Sequence, residues 1–163
     1  RIFLGHGIVE GTLWAIEENE ESAFIPIEII KRVKPNLAIV GHIHKQMEIN
    51  IENINIIYKS ELIERGLGDF EGESCITEED DIYNYHMNKT IRNIESVVDL
   101  CNRINDLIDE IKNKYKGKNI LLVTHSGTAR AIERYFYGID ENGDLPPENL
   151  KNCEIREYEI MEK

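Results

Sequence analysis

The sequence predicts an α/β fold: a mainly parallel sheet with helices on both faces, a three-layer α/β/α sandwich. Three observations carry this. Ile120 to Thr124 is an unbroken run of leucine and β-branched residues, the pattern of a strand buried on both faces. Similar short apolar runs stand at 2–5, 37–40 and 54–58, with a polar alternating run at 153–159. Between them lies a long amphipathic stretch, Ile91 to Tyr115, with apolar residues recurring at three and four.

Each element has its own local reason. The run at 2–5 leads into Gly5-His6-Gly7, where glycines on both sides of a histidine permit a sharp turn and close approach of a ligand. Pro26 is suited to open a helix through Val33, which Lys34-Pro35-Asn36 breaks. The strand at 37–40 ends in Gly41-His42-Ile43-His44. Met47–Ile51 and Ile54–Tyr58 alternate as a strand pair about Glu52-Asn53. Ser60–Ser74 is glycine-rich and charged, a loop by composition, and contains Glu64. Thr77–Asp80 has the form of a capped helix start leading through Met87, with His86 on its surface. The stripe of the 91–115 helix takes Cys101 into the core, and this helix is expected to lie across the sheet without a part in chemistry. A turn-rich connection, 138–149, precedes the last strand, expected at a sheet edge.

Composition narrows the function classes. The chain has 163 residues, enough for one domain with a real core, and 41% are hydrophobic. Its formal charge of −12 argues against broad electrostatic binding to nucleic acid or to an anionic membrane, while leaving room for a local phosphate pocket. No apolar run is long enough to span a bilayer, and no signal peptide is visible. Cys75, Cys101 and Cys153 form neither a metal pattern nor a disulfide framework, so the expected setting is a reducing cytoplasm. The chain opens on Arg1 rather than Met, as a sequence lacking its true start would.

The most informative stretch follows the buried strand. His125 stands where that strand ends, Ser126, Gly127 and Thr128 form a turn with an N-cap, and Ala129–Tyr137 reads as a helix. Free backbone N–H groups at such a helix start face an anion, and a histidine at the strand tip would face it too. His42 and His44, one residue apart, share a face in an extended chain and could serve a metal. If the strands run parallel, His6, His42, His44 and His125 gather on the carboxyl edge of the sheet, where ligands bind in such folds.

Two resemblances follow from these motifs. KNILLVTHSGTARAI, with Leu62-Ile-Glu64-Arg65, Gly68-Asp69-Phe70-Glu71-Gly72 and Leu150-Lys-Asn-Cys153-Glu-Ile155, resembles the later half of the histidine phosphatase (phosphoglycerate mutase-like) superfamily over roughly 50–163. That resemblance implies His125 and Glu64 as catalytic residues, with Glu64 as the general acid. The nucleophile then falls on His6, and phosphate contacts on Lys45, Arg65, Ser126 and Gly127, with no cofactor. The family's Arg-His-Gly motif is missing: Gly5 stands where its arginine would be, and weak or lost turnover is the expected consequence. The second resemblance covers 1–58. Phe3–Gly11 and Lys34–Lys45 look like the last motifs of calcineurin-like metallophosphoesterases of the DNA-repair exonuclease branch, which implies His6, His42 and His44 as ligands of manganese or another divalent pair. That family's Asp-x-His and Gly-Asn-His motifs are absent. Together the two suggest a junction: a metallophosphoesterase-like segment, 1–58, joined to a histidine phosphatase-like region, 59–163, packed as one unit. A divergent histidine phosphatase with a drifted front end is the alternative. Either way a small phosphorylated molecule is the expected substrate, and a non-catalytic phosphate-binding scaffold is the reading from a different class.

Overall fold

The computed structural model describes residues 1–6, 8–9, 24–41, 48–51, 54–72, 85–86, 92–145, 150–151 and 154–160. Among them the chain forms eight strands, β1 (Ile2–His6), β2 (Ile8–Val9), β3 (Phe24–Ile25), β4 (Leu37–Val40), β5 (Glu48–Ile51), β6 (Ile54–Tyr58), β7 (Ile120–Thr124) and β8 (Ile155–Tyr158). Three α-helices accompany them: α1 (Ile27–Val33), α2 (Val97–Lys114) and α3 (Ser126–Tyr137). The main sheet has six strands in the order β5-β6-β4-β7-β1-β8, while β2 and β3 pair separately. The four central strands are parallel, and antiparallel β5 and β8 close the two edges.

The predicted layers are present. One face of the sheet packs against α1, with Ile25 and Ile30 lying against Phe3, Ala38, Val40, Ile56, Leu121 and Val123. The opposite face is covered by α2 and α3, through Leu100, Cys101, Ile104, Ile108, Ala131 and Ile132 on Ile2, Leu4, Ile39 and Leu122. Alternation along each strand sends Ile2 and Leu4 to one core and Phe3 to the other. Every residue of β7 is buried, as its unbroken apolar run requires. Cys101 is fully buried, and loss of hydration pushes its thiol pKa up, so it stays protonated and inert.

Two helix starts differ from the sequence expectation. The amphipathic stretch becomes helical only at Val97, not at 91. Arg92 and Asn93 adopt left-handed backbone angles (φ 50° and 61°), and Ser96 caps α2 by accepting the Asp99 N–H at 3.0 Å. Ile94, which fits the helical stripe, instead packs with Phe70 in a small separate cluster. Conversely, α3 begins at Ser126 with His125 as its N-cap residue, so Ser126, Gly127 and Thr128 are its first turn rather than a turn before it. The helix start expected at 77–80 lies outside the described residues. His86 is exposed, and no described helix is long and apolar enough to cross a membrane.

The β8 edge is pinned by a buried charge. Glu133 of α3 is 3% exposed and accepts hydrogen bonds from the Arg156 guanidinium and, at 3.0 Å, from the Tyr158 hydroxyl. Burial, then the Glu133 charge, push the Tyr158 phenol above its ordinary pKa, so it remains a donor. Phe136 stacks on the Tyr158 ring at 4.5 Å. Replacing Glu133 with alanine leaves Arg156 to Glu154 alone, at 2.8 Å, and takes the acceptor from the Tyr158 hydroxyl. The expected destabilisation is about 3 kcal/mol, the lower end for breaking a buried pair, read as a lowered urea midpoint.

Candidate active site

Strand register sets the site. His6 is the last residue of β1 and pairs in register with Thr124, the last residue of β7, so the backbones of His6 and His125 meet at the carboxyl edge of the sheet. On the other side of β7, the Gly41 N–H donates to the Val123 carbonyl at 2.9 Å, which brings the end of β4 to the same edge. The convergence expected from parallel strands is therefore present for the backbones of His6, His125 and Gly41. Lys45, His42 and His44 lie outside the described residues.

The loop after β6 is drawn over this edge. It runs through two short 3₁₀ turns, Ser60–Leu62 and Gly68–Phe70. The Thr124 hydroxyl donates to the Leu62 carbonyl, and the Thr128 hydroxyl to the Ile63 carbonyl at 2.6 Å. Leu62 comes so close to Gly41 that a Cβ there would stand 2.0 Å from its carbonyl oxygen. These contacts deliver Glu64 to the start of α3. Its carboxylate accepts from the backbone N–H of Gly127 at 3.2 Å, Thr128 at 3.2 Å and its neighbour Arg65 at 2.9 Å. A carboxylate is well placed there, because unpaired N–H groups and the helix dipole both favour negative charge.

Several sequence-named residues meet at this point. Glu64, Arg65 and His125 line one cleft of about 650 Å³, together with Gly41, Ser60 and Arg103. Gly127 is at its edge through Glu64, and Ser126 opens the same helix turn. Two of these residues also make contacts within the chain. The Gly127 amide, expected to face phosphate, is here engaged by the chain's own Glu64. Arg65 is only 5% exposed, and its Nε donates to the Glu95 carbonyl at 2.7 Å, so it serves the loop as well as lining the cleft.

Sequence reasoning missed Glu95 and Arg103. Arg103, on α2, grips Glu95 with Nε at 2.6 Å and a terminal nitrogen at 2.9 Å, and donates to the carbonyls of Glu61, Ile63 and Glu64. The helix expected to stand apart from the chemistry thus holds the loop that carries Glu64. The metal alternative rests on His42 and His44, outside the described residues. Among the described residues no group of three or more His, Cys, Asp or Glu side chains is arranged to hold a metal ion.

The fold and cleft define an α/β protein in which the strand end at His6 meets His125 and the Glu64 carboxylate at the carboxyl edge of a parallel sheet. The profile of the histidine phosphatase superfamily (branch 1) matches residues 44–163, and the chain belongs to that family. Among solved structures it is similar to Bacillus stearothermophilus YhfR, at 17% identity and a TM-score of 0.62, over 95% of this chain and 89% of that one. It is also similar to a candidate alpha-ribazole-5'-P phosphatase from Escherichia coli str. K-12 substr. MG1655, at 15% identity and a TM-score of 0.51, over 85% and 80% of the two chains. No curated protein matches the chain. The likeness to YhfR in fold takes in nearly the whole chain, front segment included. The metallophosphoesterase resemblance of residues 1–58 finds no support in any of these comparisons.

Gly41→Ala tests the close approach that builds the cleft. The added methyl meets backbone rather than a movable side-chain tip, so the loop must lift. The expected loss is about 3 kcal/mol, the upper range of ordinary overpacking, visible as a lower urea midpoint with an unchanged slope.

Proposed function

We propose that this chain is a histidine phosphatase that hydrolyses a small phosphomonoester through a phosphohistidine, without a metal. The observation that carries this reading is the meeting at one sheet edge of the His6 strand end, His125 and the Glu64 carboxylate. In this reading a His6 ring nitrogen attacks phosphorus. The P–N bond forms as the bond from phosphorus to the leaving oxygen breaks. Glu64, in its protonated form, gives that oxygen a proton. Water then attacks phosphorus, Glu64 takes the water's proton, and the P–N bond breaks to restore His6. His125 and the first N–H groups of α3 stabilise the charge on the transferring oxygens, the latter once Glu64 swings from capping them.

Gly5 supplies no guanidinium at the nucleophile, so turnover is slow beside that of a family member with the full Arg-His-Gly motif. Lys45, Arg65 and Ser126 are the remaining phosphate contacts in this reading. The E. coli neighbour's description as a candidate alpha-ribazole-5'-P phosphatase supports a small phosphorylated substrate, and a reducing cytoplasm fits the free thiol of Cys101. The same missing arginine favours a second reading, a scaffold that binds phosphate without turning it over.

Hydrolysis of an aryl phosphate in excess chelator decides between them. Chelator-resistant release of phosphate is expected, falling at least about a hundredfold in His125→Ala, in line with the loss of one oxyanion contact. Activity that appears only on adding manganese sinks the phosphohistidine reading. Phosphate binding with no turnover in any condition leaves the scaffold.

A further inference from the structure

We infer that Arg103 is a positioning residue for the general acid: from α2 it fixes the loop that sets where the Glu64 carboxyl group stands in the cleft. The inference rests on the reading of Glu64 as the acid, and goes beyond it to the device that aims that acid.

The loop from Ser60 to Gly66 has one short 3₁₀ turn and no strand pairing, so its own backbone does little to hold Glu64. Two sets of contacts hold it instead. Thr124 and Thr128 fasten the carbonyls of Leu62 and Ile63 from the sheet side. From the other side Arg103 reaches the carbonyls of Glu61, Ile63 and Glu64 with its two terminal nitrogens. That guanidinium is itself held square by both oxygens of Glu95, a two-point grip that a planar fork makes and an ammonium does not. Glu95 is fastened in turn: its N–H donates to the Gly66 carbonyl at 2.9 Å, and its carboxylate accepts from the Gly66 N–H at 3.3 Å. Arg103 and Glu95 side chains are about four-fifths covered (20% and 21% exposed), so solvent competes weakly for these contacts.

A general acid works only within hydrogen-bond reach of the oxygen it protonates. Arg103 bonds three carbonyls within four residues, including the carbonyl of Glu64 itself. A shift of this clamp therefore moves the carboxyl group. It leaves β1, β7 and the two histidine strand ends where they are, since those are set by sheet register. The consequence is selective. Loss of Arg103 impairs protonation of the leaving oxygen more than attack on phosphorus, to which Arg65 on the same loop contributes one contact among several.

Leaving-group dependence reads this directly. An alkyl phosphate such as glycerol phosphate needs a proton on its departing oxygen, whereas p-nitrophenyl phosphate departs without one. Glu64→Gln is expected to lower kcat/KM for the alkyl substrate by about 100-fold or more, the usual worth of a positioned acid, and to change the aryl substrate little. Arg103→Gln is expected to show the same selectivity, with a loss of about tenfold or more on the alkyl substrate. Arg103→Lys, which keeps the charge and lacks the fork, should fall between wild type and Arg103→Gln. The double variant Glu64→Gln/Arg103→Gln should be no slower than Glu64→Gln alone, because both act on one proton transfer. If Arg103→Gln does not fold, Arg103→Lys and Glu95→Gln carry the same test.

Equal losses on both substrates, no loss on either, or additive losses in the double variant overturn the positioning role. If Glu64→Gln itself shows no selectivity, the acid reading of Glu64 has failed and this inference falls with it. Selectivity in Glu64→Gln without selectivity at Arg103 removes the inference alone.

Discussion

The site depends on one close approach: the Leu62 backbone against Gly41 at the end of β4. No side chain fits between them, so the loop settles on the sheet edge rather than standing off it. Thr124 and Thr128 then find the carbonyls of Leu62 and Ile63 within reach, and Glu64 follows onto the first turn of α3. Each contact is modest, and hydrogen bonds of this kind contribute about 1 kcal/mol apiece. Their value is geometric, since all of them act on a few consecutive residues.

The electrostatics of the cleft come from the chain itself. A charge-assisted contact from Glu64 satisfies N–H groups that would otherwise need water or a ligand. Gly127 is the position that permits it: a Cβ there would meet the Glu64 oxygen at 2.7 Å. On the far side of the loop, Lys59 joins the loop base to α2 through Glu110 at 3.0 Å. Burial pulls the Lys59 pKa down, but the hydrogen bond to Glu110 and the Glu61 and Glu110 charges outweigh it and leave it raised, so this tie keeps its charge. The acid loop is thus fastened at its base, its middle and its end, and α2 supplies two of those fastenings.

Much of the fold was legible. The all-apolar run at Ile120–Thr124 has the pattern of a fully buried strand, and alternation marked strands at 54–58 and 153–159, the second expected at a sheet edge, where β8 lies. The site was legible as a set of strand ends, because parallel pairing needs no knowledge of side chains to gather His6 and His125. The start of α2 was misread because Ile94 continues the helical stripe. The local signal that opposes it was present: Ser96 followed by Asp99 has the spacing of a helix cap, and it outweighs periodicity. Glu95 and Arg103 could not be found the same way. They are eight residues apart, off the three-and-four spacing that marks neighbours on a helix, and they meet only because the chain before Val97 is unwound.

The strand order carries a consequence for how the chain acquires its structure. β7, the keystone of the main sheet, pairs on one side with β1 and on the other with β4, so Ile2 and Leu37 both face Ile120 across more than half the sequence. During synthesis β1 must wait for a neighbour made long after it, and its only other neighbour, β8, comes later still. Contacts this distant fold slowly, because the loop must close before any pairing rewards it. Until then the apolar strand Ile2–Leu4 lacks both of the strands it pairs with among the described residues. The nascent front half is thus the stage at which this chain most needs protection from association with its neighbours.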